Sequence, residues 1–120
     1  MTRARFDIKA LGRLKAGHMN RTEAAYAAHL ERLKQRGDVL WYAFEAWKFR
    51  LADKTFYTPD FMVMRRDGRM QGHEVKGYML DDANVKVKVA AEQHPVDFFI
   101  IRKGKGGIWS VSPVGNHSEG

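Results

Sequence analysis

Two acidic residues and a lysine stand at the ends of two neighbouring strand-like segments. Asp60 lies at the start of the apolar run FMVM, directly after Pro59, and Glu74 and Lys76 lie near the end of the run MQGHEVKG. Carboxylates are preferred ligands of Mg²⁺ and Mn²⁺, and a lysine can stabilise negative charge on a phosphate in a transition state. These residue types therefore suit metal-assisted hydrolysis of a phosphodiester, provided that the two segments bring them together.

The turn RRDGR between the two segments permits two strand pairings. With a two-residue Asp-Gly loop, Asp60 pairs with Val75, which places Asp60 and Glu74 on opposite faces of the hairpin. A three-residue loop, with Gly68 left-handed in a bulge, pairs Asp60 directly with Glu74. Because residues two apart in a strand share a face, Lys76 accompanies Glu74 in either case. Only the second pairing builds a site.

In that second pairing, a divalent metal held by Asp60 and Glu74 would relieve the repulsion between two adjacent carboxylates. The backbone carbonyl of Val75 is a candidate further ligand, and Lys76 is a candidate for orienting the attacking water or stabilising the phosphate. The alternative interpretation is a solvated hairpin face on which Glu and Lys merely alternate with apolar residues. The combination of PDF, a hairpin-length gap and EVKG favours the metal site.

A third acid is available on the first helix. The segment NRTEAAYAAHLERLKQRG has helical spacing of apolar residues, Asn20 as its N-cap and Gly37 at its end. Glu23 occupies the capping-box position, where its carboxylate bonds the N-cap backbone. It also leans toward the apolar face and the metal, so the roles of cap and ligand compete for one carboxylate. Glu45, which interrupts an aromatic strand, is the alternative third acid.

The hydrophobic pattern predicts an α/β chain, an α+β mixed sheet flanked by helices, in the order helix-strand-strand-strand-helix-strand-strand. The second helix is DDANVKVKVAAEQHP, capped by Asp81 or Asp82 and ended by Pro95. The strands are DVLWYAFEAWKFRL (with a break near Glu45), FYTPDFMVM, MQGHEVKG, VDFFII and GIWSVS. Residues 1–19 are expected to form a basic N-terminal arm, 20–112 the folded domain and 113–120 a flexible tail. Trp41 and Trp47 are expected in the core, and His73, facing away from Glu74, is expected to be structural.

Composition narrows the class of partner. Lys and Arg total 21 against 14 Asp and Glu, a net charge of +7 that favours a polyanion such as nucleic acid over the alternative of a generically basic protein. With no cysteine, any metal must bind through oxygen or imidazole. No apolar segment approaches the ~18 residues of a transmembrane helix, and the basic start lacks the apolar run of a signal peptide.

Several basic residues are candidates for contacts with nucleic-acid phosphates, since lysine and arginine supply most sequence-independent affinity. Nothing resembles a base-reading module, so we expect recognition of DNA shape or branching. Lys86 is preferred over Lys88, because on a helix residues two apart diverge by ~200°. The complete set is Arg3, Arg5, Arg13 and Lys15 in the arm, Lys86 and Lys88 in the second helix, and Arg102, Lys103 and Lys105 in the turn RKGKGG.

The motif PD at Pro59-Asp60, followed by ExK at Glu74-Val75-Lys76, resembles the PD-(D/E)xK nuclease superfamily. More narrowly, FYTPDFMV, HEVKGYMLDDANVKVKVAAEQHP and GIWSV look like a family of small phage-encoded proteins placed among these nucleases as a domain of unknown function. The resemblance covers roughly residues 20–112. It implies a restriction-endonuclease-like core, Mg²⁺ or Mn²⁺ as cofactor, metal-binding roles for Asp60 and Glu74, a catalytic role for Lys76, and Glu23 as the matching acid of the first helix.

The element order is also similar, more weakly, to phage endonuclease I, a dimeric junction resolvase. The resemblance therefore implies a metal-dependent endodeoxyribonuclease that is structure-selective for branched DNA such as Holliday junctions, with no small-molecule cofactor. Such an enzyme would act as a homodimer in phage DNA processing, in the cytoplasm of a bacterial host. The alternative is a DNA-binding or packaging accessory protein that keeps the fold without hydrolysis. RNA remains open as a substrate.

Overall fold

A computed structural model describes residues 17–77 and 83–115 of the chain. The basic arm with Arg3, Arg5, Arg13 and Lys15, the Asp81 or Asp82 cap and the last five residues lie outside the described residues. The helices are α1 (Arg21–Gln35) and α2 (Ala83–Gln93), with a short 3-10 helix at Lys105–Gly107. The strands are β1 (Val39–Phe44), β2 (Phe49–Ala52), β3 (Thr55–Tyr57), β4 (Phe61–Arg65), β5 (Met70–Lys76), β6 (Asp97–Lys103) and β7 (Trp109–Pro113).

The chain folds as an α+β globule around a mixed five-stranded sheet in the order β1-β4-β5-β6-β7. Only the β5–β6 pair of this sheet is parallel, and α2 is the crossover between these two strands, as a parallel connection requires. Strands β2 and β3 form a separate two-stranded hairpin. The predicted mixed sheet with helices is thus confirmed.

Each face of the sheet carries its own hydrophobic core. Helix α1 contacts β1 and β5, and its Tyr26 and Leu30 pack with Phe61 and Val63. On the other face, α2 contacts β6 and the β2–β3 hairpin, and Met62 belongs to that second core. Because neighbouring residues of β4 are buried on opposite faces, this strand reads as a continuous apolar run.

The residues predicted to begin and end α1 are confirmed. Asn20 is the N-cap, the capping box with Glu23 is formed, and Gly37 follows the helix with a φ of +88°. A left-handed residue just after a helix carries almost no steric cost when it is glycine. Tyr26, 2% exposed, and Leu30, 0% exposed, form the buried side of the helix.

Two predictions about the aromatic segments are wrong. The segment FYTPDFMVM is two strands, not one, because the chain leaves β3 at Thr58 and reaches β4 only after the buried Pro59, which has no N–H for a sheet ladder. Together with the break near Glu45, which separates β1 from β2, this gives five strands before α2, where three were predicted. Trp41 and Trp47 are not in the core: they are 38% and 41% exposed, respectively.

A buried polar contact joins the two layers beneath α1. His73 is 3% exposed, and its Nδ1 lies 2.7 Å from the Tyr26 hydroxyl, while its Nε2 lies 3.0 Å from Gln71 Oε1. Burial lowers the pKa of His73 to about 3 and raises the pKa of Tyr26. The neutral imidazole therefore accepts from the tyrosine and donates to the glutamine, the structural role predicted for His73.

Tyr26→Phe should destabilise the fold by about 1–3 kcal/mol, because it leaves the buried Nδ1 of His73 without its donor. Urea unfolding at neutral pH measures this as a lower midpoint with an unchanged slope. Tyr42→Phe is the matched control, since the Tyr42 hydroxyl donates to Glu31, which is only partly buried. Equal losses of unfolding free energy in the two variants would show that the Tyr26–His73 hydrogen bond stabilises the fold no more than the Tyr42–Glu31 hydrogen bond does.

Candidate active site

The hairpin register predicted to build a site is the one observed. Phe61 pairs with His73 and Met62 with Gly72, which continues to Asp60 opposite Glu74. The turn is the three-residue loop 66–68, since Arg65 N–H donates to the Arg69 carbonyl and Gly68 N–H donates to the Arg65 carbonyl. Gly68 is left-handed, with a φ of +87°. The two acids therefore lie on neighbouring strand positions of one face.

Asp60 is held at the entry to β4 by backbone contacts. Its Oδ2 accepts from the Val75 N–H at 2.8 Å, and its carbonyl accepts from the Glu45 N–H at 2.8 Å. Burial raises the pKa of the Asp60 carboxyl, and the nearby Glu74 raises it further, against the opposing effect of the Val75 N–H. Without a cation nearby, the Asp60 carboxyl therefore tends to keep its proton.

Glu74 and Lys76 meet on the same face, below the β2–β3 hairpin. Glu74 Oε1 accepts from the Tyr57 hydroxyl at 2.6 Å, and Glu74 Oε2 lies 3.9 Å from Lys76 Nζ. The Lys76 side chain is only 2% exposed and that of Glu74 12%. Burial and the Glu74 charge raise the pKa of Tyr57, which keeps this tyrosine a proton donor to the carboxylate.

Tyr57 is the site residue that sequence reasoning missed. It lies three positions before Asp60, in YTPD, but its place next to Glu74 depends on the hairpin folding back across the sheet. The aromatic, strand-like sequence around Tyr57 does not indicate that the hairpin folds back in this way.

Glu23 serves as a helix cap and also lies at the site. Its Oε1 accepts from the Asn20 N–H at 2.9 Å, and the Asn20 side chain accepts from the Glu23 N–H at 2.8 Å. The same carboxyl group is close enough to Asp60 for the two carboxyls to influence each other's pKa. Burial raises the pKa of Glu23, and the Asn20 N–H opposes that rise.

Glu45 borders the same group of acids. It is left-handed, with a φ of +51°, a strained conformation for a residue other than glycine. Its side chain accepts from the Gly17 N–H at 3.1 Å, and its charge raises the pKa of both Asp60 and Glu23. Glu45 therefore adds negative charge at the edge of the site while its own side chain bonds the chain before α1.

The donor set has the chemistry that Mg²⁺ or Mn²⁺ prefers, namely carboxylate oxygens with a backbone carbonyl nearby. In the described residues, no three Asp, Glu, His or Cys side chains are grouped closely enough to hold one ion as they stand. The side-by-side carboxyls of Asp60 and Glu74 fit a cation, because their repulsion and burial are what raise the pKa of Asp60.

The candidate phosphate contacts lie in different places. Lys86 is exposed and donates to the Phe56 carbonyl at 3.0 Å, and Lys88 is exposed one position beyond the buried Val87. Arg102 is the ladder partner of Lys76 in the β5–β6 pair. Lys103 lies over the ring of Trp109 at 5.8 Å, and Lys105 is exposed in the 3-10 turn.

Comparisons with family models, with curated proteins and with solved structures gave no match. Within residues 17–77 and 83–115, no helix is long and apolar enough to cross a membrane.

Asp60→Asn should stabilise the metal-free protein at pH 7–8 by about 1–3 kcal/mol. Because the pKa of Asp60 is raised in the folded state, the unfolded chain ionises first, and stability falls as pH rises above the unfolded value of about 4. Asparagine keeps an acceptor for the Val75 N–H and can donate to Glu23.

The measurement is thermal unfolding in EDTA across this pH range, where the gain should shrink toward zero near pH 4. Asp53→Asn, an exposed acid in the turn between β2 and β3, is the control and should show no such trend. A loss of stability in Asp60→Asn at pH 8 would contradict the raised pKa.

Proposed function

We propose that the chain is a metal-dependent endodeoxyribonuclease with a PD-(D/E)xK site on a restriction-endonuclease-like core. The observation that supports it best is the observed register, in which Asp60 lies opposite Glu74 and the buried Lys76 ammonium lies 3.9 Å from Glu74. A lysine with 2% exposure beside a pair of carboxyls is costly unless it interacts with charge there, which suits a site for a phosphate and a cation.

Each residue of the site has a role in hydrolysis. Asp60, Glu74 and the Val75 carbonyl, with Glu23 beside them, would hold Mg²⁺ or Mn²⁺, which supplies Lewis acidity and lowers the pKa of a bound water. Lys76 orients the water or stabilises negative charge on the phosphate.

Water oxygen attacks phosphorus in line, the bond to the 3′ oxygen breaks, and the products are a 5′-phosphate and a 3′-hydroxyl. The Tyr57 hydroxyl and the Val75 N–H fix the carboxylates in their orientations.

The net charge of +7 supports DNA as the polyanion, and the lack of a base-reading module supports recognition of structure over sequence. The proposed substrate is therefore branched DNA, such as a Holliday junction, and the proposed active form is a homodimer, which makes the two cuts. The proposed setting is phage DNA processing in a bacterial cytoplasm.

The test is cleavage of a labelled panel of linear duplex, single strand, flap and four-way junction, each with Mg²⁺, Mn²⁺ or EDTA. Wild type should cut the branched substrates only with metal, and Glu74→Ala should stop the cutting. Glu92→Ala, an exposed acid on α2, is the control and should cut like wild type. Junction binding without cleavage under every condition would favour the non-catalytic DNA-binding or packaging protein.

A further inference from the structure

The outer face of the β2–β3 hairpin presents an aromatic ring among basic side chains. Phe56, on β3, is 38% exposed. Lys48 Nζ lies 4.8 Å from the centre of the Phe56 ring. Arg50 is the cross-strand partner of Phe56 and is exposed, so the two side chains share the outward face of the hairpin.

The cations of this face are not neutralised by acids of the described chain. Lys48, Arg50 and Lys86 form no ion pair with a carboxylate among residues 17–77 and 83–115. Basic residues elsewhere do: Arg36 and Arg66 both bind Asp38, at 2.8 and 2.9 Å. We call Lys48, Arg50, Phe56 and Lys86 the aromatic-basic face. Its charge is available to an anionic ligand.

The hairpin connects this face to the candidate active site. Phe56 points outward, whereas Tyr57, the next residue, points inward and donates to Glu74 at 2.6 Å. The Lys86 ammonium donates to the Phe56 carbonyl at 3.0 Å and so ties the hairpin to α2. A DNA strand bound on the aromatic-basic face would therefore lie on the other side of the hairpin from the Tyr57–Glu74 contact.

We propose that the aromatic-basic face binds single-stranded DNA, with an unpaired base stacked on Phe56 and phosphates bound by Lys48 and Arg50. Unpaired bases expose the ring faces that an aromatic side chain stacks on, whereas duplex bases are already stacked on one another. This inference rests on the proposed nuclease function and names its substrate class: DNA with an unpaired segment beside the strand to be cut.

The experiment is binding of a fluorescently labelled oligothymidine and of a labelled duplex to the full chain in EDTA, at several salt concentrations. Phe56→Ala should weaken oligothymidine binding by about tenfold, as loss of one stacked base does, with little change for duplex. Phe56→Trp should restore it, and this variant also covers the case in which the alanine destabilises the hairpin. Ile108→Ala is the control, because Ile108 is 72% exposed outside the hairpin, next to β7.

Charge is tested separately with Lys48→Gln. It should flatten the dependence of log affinity on log salt by about 0.7, the value for one phosphate contact on a single strand.

Equal losses for oligothymidine and duplex in Phe56→Ala would overturn the stacking proposal, as would full affinity in Phe56→Leu, which keeps apolar area without a ring. Tighter binding of oligouridine than oligothymidine would overturn the assignment to DNA.

Because binding is measured in EDTA, its result is separate from the nuclease test. If wild type cuts nothing with metal and Phe56→Ala still loses oligothymidine, the single-strand site stands and the nuclease fails. If wild type cuts and Phe56→Ala binds normally, the nuclease stands and this site fails.

Discussion

Replacing Lys76 by methionine should reduce metal-dependent DNA cleavage by about 10²–10³-fold while leaving metal binding in place. The Lys76 ammonium is almost fully buried and lies 3.9 Å from Glu74 Oε2, so in the proposed mechanism its charge acts on the phosphate and the water. Methionine keeps most of the side-chain volume in this buried place and removes the charge. Single-turnover cleavage of the preferred branched substrate measures the effect on the chemical step.

Thermal unfolding separates the two roles assigned to the site. In Lys76→Met, Ca²⁺ or Mn²⁺ should still raise the melting temperature, since Asp60 and Glu74 remain; a metal present at about 100 times its dissociation constant adds about 2.7 kcal/mol of stability. In Asp60→Asn, both cleavage and this stabilisation should be lost. Lys34→Met, at an exposed position of α1, is the control. Normal cleavage by Lys76→Met would make Lys76 only a buried partner of Glu74.

The sequence predicted the residues of the candidate site better than it predicted their arrangement. Both hairpin registers were open because β4 is buried on both faces, so a shift by one residue would still place apolar side chains inside. The choice lies in the turn, where Gly68 adopts φ +87° and closes the three-residue loop. Helix α1 was predictable because its capping box is a local interaction that needs no tertiary partner.

The β2–β3 hairpin was the part least accessible to sequence reasoning. Its residues alternate between inward Phe49 and Tyr57 and outward Arg50 and Phe56. An aromatic residue is equally compatible with both sides of such a strand, so the pattern did not distinguish Tyr57 at the candidate site from Phe56 at the surface. The same ambiguity led to the wrong prediction that Trp41 and Trp47 are in the core.

Gly72→Ala should destabilise the fold by about 3 kcal/mol, at the upper end of the cost of overpacking a core. A Cβ on Gly72 would lie 2.6 and 2.7 Å from two ring carbons of Phe98 and 3.3 Å from Pro59 Cγ. Phe98 is 0% exposed and packs against the rings of Phe49 and Tyr57 at 5.2 and 6.0 Å. The ring therefore has no free space into which to move, and its displacement would shift the tyrosine that bonds Glu74.

A double-mutant cycle attributes that loss to the contact with Phe98. Gly72→Ala combined with Phe98→Leu should be less destabilised than the sum of the single variants, since leucine vacates space that the new methyl group needs. Urea unfolding measures all four proteins, and Gly77→Ala, where a Cβ meets no described residue within 4 Å, should be close to neutral. Additive losses would mean that Gly72→Ala destabilises the fold by straining the β5 backbone and not by displacing the Phe98 ring. In that case cleavage by Gly72→Ala, assayed well below its melting temperature, should match wild type, because the Tyr57–Glu74 contact would be undisturbed.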